Sequence, residues 1–191
     1  MPKLGMEPKR RAALISAVID EVGEAGSLDV TVSKIAKRAG MSSGLAHHYF
    51  GSKDQMLIAA MRHILSVFSK QVISGLAAAT GPRARLEAII RANFEDHVFD
   101  QRKTSAWLSF YALSQSNAEA AHLMRIYHRR LRSNLLFDLR RLSPAGSDIE
   151  QVLSALIDGV YLRRALSGAG PDPAAADTVL RALDALLAGD P

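Results

Sequence analysis

The sequence predicts an all-α protein of about nine helices. Two observations carry that prediction. Apolar residues recur at three- and four-residue spacing in about nine segments, while no alternating β-branched run bounded by turn residues appears. Glycine- and proline-containing breaks separate those segments, at Gly26, Gly40, Gly51, Gly81-Pro82, Pro144 to Gly146 and the run GAGPDP at 168–173. The expected helices are 8–25, 32–39, 43–49, 53–78, 83–98, 102–115, 117–142, 148–167 and 174–188.

Each element has a local reason. Pro8 suits the first turn of the opening helix, and Gly26 ends it. Thr31 can cap a short helix whose apolar face is Val32, Ile35, Ala36 and Ala39; Gly40 supplies a left-handed turn, and Ser42 caps the next helix. Ser52 with Gln55 three residues on reads as a capping box opening 53–78. Ser147 with Glu150 reads as a second box, and Ile149, Val152, Leu153, Leu156, Ile157 and Val160 give 148–167 a wide apolar face. Gly159 inside that helix costs about 1 kcal/mol relative to alanine, which implies close approach of another helix. The last helix offers Val179, Leu180, Leu183, Leu186 and Leu187.

Composition narrows the class. The 191 residues suffice for one well-cored domain or a small module joined to a larger one. Hydrophobic content of 48% with 23% charged residues describes a globular chain, and no uninterrupted apolar run approaches the ~18 residues of a membrane span. No apolar stretch follows the basic start MPKLGMEPKRR, so no secretion signal is read and a cytoplasmic location with no membrane partner is expected. There is no cysteine, which excludes disulfides and thiolate metal sites. The net charge of +5 favours an anionic partner.

Residues 31–57, TVSKIAKRAGMSSGLAHHYFGSKDQML, sharpen that expectation. Two short helices joined through a turn glycine form a helix-turn-helix pattern, whose second helix enters a DNA major groove; plain αα-corners share the pattern. Helix amino termini normally prefer acids. Here Lys9, Arg10 and Arg11 follow Pro8, Lys53 follows Ser52, and from Val30 to Lys53 the chain holds Lys34, Lys37, Arg38 and Lys53 with no acid. A phosphate at Lys53 would meet backbone N–H groups, the helix dipole and the ammonium together. A solvated basic face is the plainer alternative. His47 and His48 are adjacent on a helix and point about 100° apart, so they do not form a two-histidine metal site.

The same stretch resembles the DNA-binding signature of the tetracycline-repressor family of bacterial transcription regulators, through IA..AG.S.G and HYF.SK. Elsewhere MPKLGM, AWLSFYA, RRLRSNLLFDLRR and ALIDGVYLRRALSG are similar to the choline-responsive repressors of glycine betaine synthesis genes within it. The resemblance implies residues 1–52 as a DNA-binding domain and 53–191 as a ligand-binding and dimerisation domain. It implies a homodimer paired through the last two helices on double-stranded operator DNA, with choline as effector and no cofactor. It places Thr31 and Ser42 near phosphates, Ser43, Gly44, Leu45 and His47 at or near base edges, and His48, Tyr49 and Lys53 on the backbone. Phe50 reads as core. Position 47 is often tyrosine in the wider family, so the base preference of other members does not transfer to His47.

Nine of the eleven aromatic residues follow the helix-turn-helix. Trp107 and Tyr111 share a helix face with Phe110 beside them, and Phe94, Tyr127 and Tyr161 sit on other long helices. A quaternary ammonium has no N–H to donate, so aromatic faces and a nearby carboxylate recognise it. An aromatic box from Phe94, Trp107, Phe110, Tyr111 and Tyr127 is the expectation; ordinary core packing is the alternative. Candidate acids are Glu95, Asp96 and Asp158, of which Asp158 interrupts an apolar face and could equally pair with Arg163 or Arg164. Arg125, Arg129, Arg130, Arg132, Arg140 and Arg141 read as a solvated face.

Catalysis is not expected. The chain offers no phosphate-cradling glycine loop and no H-E-x-x-H, and His47, His48, His63, His97, His122 and His128 lack ligand spacing. The remaining rivals are a repressor answering another hydrophobic or cationic effector, and a structural helical dimer without a DNA target.

Overall fold

The computed structural model describes residues 6–95, 101–167 and 174–189. Asp96, His97 and the GAGPDP run lie outside them. The described residues form nine α-helices and no strand: α1 Met6–Ala25, α2 Val32–Arg38, α3 Ser43–Phe50, α4 Lys53–Ala78, α5 Pro82–Ala92, α6 Gln101–Leu113, α7 Ala118–Leu139, α8 Gly146–Ser167 and α9 Ala174–Ala188. The all-α expectation holds, and most boundaries fall within two residues of it.

Two compact units divide the chain, residues 1–65 with 101–124, and residues 66–100 with 125–191. In the first, Leu14, Ala17, Val18, Ile19 and Val22 of α1 are buried, as are Ile35 and Ala36 of α2, Ala46 of α3 and Met56 to Ile58 of α4. Ala106, Trp107 and Phe110 of α6 join that buried set. The α1 and α6 backbones approach closely at Gly23, where a Cβ would stand 2.2 Å from the Arg102 carbonyl oxygen. Only a residue without a side chain fits there.

The second unit packs Leu86, Ile89 and Ile90 of α5 with Leu131, Leu135 and Leu139 of α7, Ile149, Leu153 and Ile157 of α8, and Val179, Leu180 and Leu183 of α9. These sets repeat at three and four residues, so each helix turns one stripe inward. A buried carboxylate sits among them: Asp138 is fully enclosed and receives the Arg85 guanidinium at 2.9 Å and that of Arg141 at 3.2 Å.

Four expectations need correction. The helix expected over 83–98 stops at Ala92: the Asn93 side chain donates to the Ile89 carbonyl at 2.8 Å, and the Phe94 amide turns back to Arg91. The Ser147–Glu150 box does not form. Instead Ser143 Oγ accepts from the Ala145 amide at 2.9 Å, while Glu150 is buried, accepting from Ser154 at 2.6 Å and pairing with Arg132 at 3.3 Å. The Ser52 box is one-sided: Ser52 Oγ accepts from the Gln55 amide, but the Gln55 side chain donates to Glu119. Finally, α4 is long and apolar enough to cross a membrane by length and composition. Its Met56, Leu57, Ile58, Ala60, Met61 and Val72 are buried within the protein, and 33% of its most apolar stretch is buried.

Candidate functional site

Capping fixes the geometry of α2 and α3. Thr31 is extended (φ −97°, ψ 148°), and its Oγ1 accepts from the Lys34 amide at 3.2 Å. At the other end the Met41 amide reaches the Ala36 carbonyl at 2.8 Å and the Gly40 amide reaches Lys37 at 3.0 Å, with Gly40 at φ +68°. That is a Schellman turn, and it sends the chain sharply into α3. Ser42 repeats the cap, accepting from the Leu45 amide at 3.2 Å. Ala46 faces inward while Ser42, Gly44, His47 and His48 are exposed and Ser43, Leu45 and Tyr49 half-buried. Of the expected interface residues of α3, Gly44, His47 and His48 share the exposed side, while Leu45 and Tyr49 flank the buried Ala46.

The neighbouring helices hold α3 in place. Arg11 of α1 donates to the Tyr49 carbonyl, and its guanidinium lies 4.4 Å from the centre of the Phe50 ring. Arg10 donates to the Tyr49 hydroxyl at 3.4 Å. Neither sits in the first turn of α1, which begins at Met6 and carries Glu7 there. His47 Nδ1 lies 3.0 Å from the Gly51 carbonyl. A carbonyl only accepts, so Nδ1 carries the proton and the neutral ring presents Nε2 as an acceptor. Lys53 Nζ donates to the Leu28 carbonyl at 3.2 Å, tying the start of α4 to the loop before α2.

One cation leaves the candidate interface. Arg38 pairs with Glu21 and Glu24 of α1. The hydrogen bond from Arg38 holds the Glu24 carboxyl below its ordinary range, and donating to Glu21 and Glu24 raises the already basic guanidinium. The acid-free run from Val30 to Lys53 is therefore not acid-free in space. Lys34 and Lys37 stay exposed.

The expected effector residues fall in both units. Trp107, Phe110 and Tyr111 belong to the first; the Trp107 and Tyr111 rings meet edge to face, 5.4 Å apart at 89°. Trp107 is 8% exposed and Phe110 fully buried. Phe94, Tyr127 and Asp158 belong to the second, where Phe94 is buried core. Tyr127 packs on Phe68 at 5.7 Å and its hydroxyl donates to Asn93 at 3.4 Å, two partners that spacing did not single out. Asp158 is 3.9 Å from His128 of α7, an ion pair when that ring is protonated. Glu95 is exposed.

A capped, sharply turned helix pair with an accessible second helix, followed by an all-helical remainder, defines a helix-turn-helix DNA-binding regulator. Residues 14–60 match the tetR family of bacterial regulatory proteins, and residues 82–188 match the carboxy-terminal domain of BetI-type transcriptional repressors. The chain belongs to the BetI-type repressors of the tetR family, as the resemblance implied; it is a transcriptional regulator and not an enzyme. It is 44% identical over 194 residues to the HTH-type transcriptional regulator BetI of Brucella suis biovar 1, covering 100% of this chain and 98% of that one. The BetI of Rhizobium meliloti is 47% identical over 172 residues, covering 88% and 84%. Among solved structures, a transcriptional regulator from Pseudomonas aeruginosa PAO1 superposes with a TM-score of 0.82 at 26% identity, covering 95% and 92% of the two chains. A regulator from Saccharomonospora viridis in complex with choline gives 0.81 at 19% identity, covering 95% and 97%.

Proposed function

We propose that this chain is a cytoplasmic, homodimeric repressor that binds an imperfect palindromic operator, governs genes for converting choline to glycine betaine, and takes choline as its effector. The observation that carries this reading is full-length similarity at 44% identity to a regulator named BetI. A solved neighbour of the same fold that holds choline supports the effector.

The DNA role falls to residues 1–52 and the effector and dimer roles to 53–191. Thr31 and Ser42 meet phosphates, Ser43, Gly44, Leu45 and His47 read base edges, and His48, Tyr49 and Lys53 contact the backbone. Two such heads on a two-fold axis read half-sites centred about one helical turn, or a multiple of it, apart. Pairing through α8 and α9 is supported by apolar side chains that α8 leaves exposed: Val152 at 49%, Leu162 at 47% and Leu166 at 72%. The close helix approach expected at Gly159 is not met within the subunit, where no atom lies within 4 Å of its Cβ position; on this reading the approaching helix belongs to the partner subunit.

The quaternary ammonium rests against Trp107 and Tyr111, and Phe94, Phe110, Tyr127 and Asp158 serve the effector domain around that function. Choline relieves repression by binding the dimer that fits the operator less well, since equal affinity for both states shifts nothing. The test is calorimetry with choline and 3,3-dimethylbutan-1-ol, which keeps choline's shape and replaces its charged nitrogen by carbon. A desolvated cation–π contact of about 2 kcal/mol makes choline bind roughly 30-fold more tightly. Equal binding of the two refutes the aromatic site; an effector affinity unchanged by operator DNA refutes induction.

A further inference from the structure

The face of α6 that carries Trp107 and Tyr111 also carries Thr104, one turn earlier. Positions 104, 107 and 111 are spaced i, i+3 and i+7, which puts all three on one side of the helix. Thr104 is 5% exposed, and its Oγ1 is enclosed without a hydrogen-bond partner. Buried hydroxyls rarely go unpaired, and one that does is costly to the free protein. Other hydroxyls on this helix and just after it avoid that cost by turning back to the backbone: Ser109 donates to the Ser105 carbonyl at 3.0 Å and Ser114 to Tyr111 at 2.7 Å. Thr104 does not.

We propose that the Thr104 hydroxyl is the group that reads the effector's own hydroxyl, making the site specific for a quaternary ammonium alcohol and not for quaternary ammonium ions at large. This rests on the placement of the ammonium against Trp107 and Tyr111. A trimethylammonium head has no hydrogen to donate and offers no acceptor, so the aromatic rings hold it by charge and shape alone. The rest of choline is two methylenes and one hydroxyl. That hydroxyl both donates and accepts, as does Thr104, so the two satisfy each other whichever way the proton lies. The orphaned hydroxyl is then an unmade bond that the correct ligand completes. A ligand lacking the hydroxyl leaves it unmade, and a site built around a polar partner rejects such an analogue more strongly than an apolar site would.

The experiment compares choline with ethyltrimethylammonium, which carries hydrogen in place of the hydroxyl, on the full-length protein and on T104V and T104S. Valine keeps the shape of threonine and removes the hydroxyl; serine keeps the hydroxyl. The native protein and T104S are expected to prefer choline by about fivefold, and T104V to lose that preference through weaker choline binding. The affinity of ethyltrimethylammonium stays within twofold across all three. Without ligand, T104V melts about 3 °C higher than the native protein, because the unpaired group is gone. Native protein that binds both cations equally, or T104V that keeps the preference, overturns the role of Thr104 while leaving the aromatic site standing. Native protein that binds neither cation overturns both.

Discussion

Replacing Gly23 by alanine sets two ordinary effects against each other. Alanine is the better helix former by about 1 kcal/mol, so propensity alone predicts that the change stabilises α1. The packing predicts the opposite. The new Cβ would lie 2.2 Å from the Arg102 carbonyl oxygen and 2.7 Å from its carbonyl carbon. Two such atoms need roughly 3.4 Å, about the lower end of van der Waals contact. The clash is therefore over an ångström deep and falls on backbone, which has no rotamer to escape into. Relief requires α1 and α6 to separate along a tight contact, and overpacking of this kind costs about 1–3 kcal/mol. The net expectation, the middle of that range less the propensity gain, is destabilisation of about 1 kcal/mol, read as a lower midpoint in urea at unchanged slope. Because α6 carries Trp107 and Tyr111, the same variant should bind choline more weakly. A variant as stable as the native protein, or more so, would refute the close packing of α1 on α6.

Three further outcomes follow from particular residues. Gly159→Ala should raise helix stability but weaken dimerisation, seen as a higher dissociation constant in sedimentation equilibrium; an unchanged constant argues against α8 pairing at that point. Lys37→Ala should lower the slope of log affinity for operator against log salt by about 0.9, whereas Arg38→Ala should lower the melting temperature and leave the slope alone, since its charge is already answered by Glu21 and Glu24. Glu24 and Asp184 both have carboxyls held below their ordinary values of 4.5 and 3.8 by hydrogen bonds from Arg38 and Arg83. Their contribution is complete above those values and lost as pH falls through the depressed ones. Thermal stability should accordingly show no change attributable to them from pH 7 to about 5 and a decline below about 4.5, and Glu24→Gln should shrink that decline.

Signals that act within one turn of helix were legible in the sequence. Thr31, Ser42 and Gly40 fixed α2 and α3 because each bonds to backbone no more than five residues away. Signals that depend on what lies across the fold were not. Arg38 reads as a free cation in its own segment, and its acids are 14 and 17 residues earlier on α1. Ser147–Glu150 has the spacing of a capping box, yet Glu150 is drawn inward to Arg132 and Ser154, and Ser143 closes the turn just before the helix by accepting from the Ala145 amide. The end of α5 turns on the Asn93 side chain, an ordinary residue in a pattern that otherwise continues. Thr104 gives no sequence signal at all, because an unpaired hydroxyl is defined by what fails to reach it. The family was legible because the helix-turn-helix signature is local and dense.

With Arg38 paired to Glu21 and Glu24, the proposed reading leaves base selection to α3. That helix, SGLAHHYF, has no lysine or arginine, so it lacks the usual bidentate donors to guanine. Of its polar groups, the Ser43 hydroxyl and the exposed His47 ring are the ones proposed to reach base edges, with Leu45 available for apolar contact, while His48 and Tyr49 are assigned to the DNA backbone. His47 donates Nδ1–H to the Gly51 carbonyl at 3.0 Å, which leaves Nε2 of the neutral ring able only to accept. In the major groove the matching donors are the amino groups of adenine and cytosine, and thymine offers none. Selection of operators from a random pool should therefore give adenine or cytosine at one position in each half-site, with a penalty of about 1–3 kcal/mol for replacing it. His47→Ala should erase the preference at that position and leave the others intact, and His47→Gln, which can both donate and accept, should restore adenine. A native preference for guanine there requires a donor on the protein and would show that His47 is charged or turned, or that another residue reads the base.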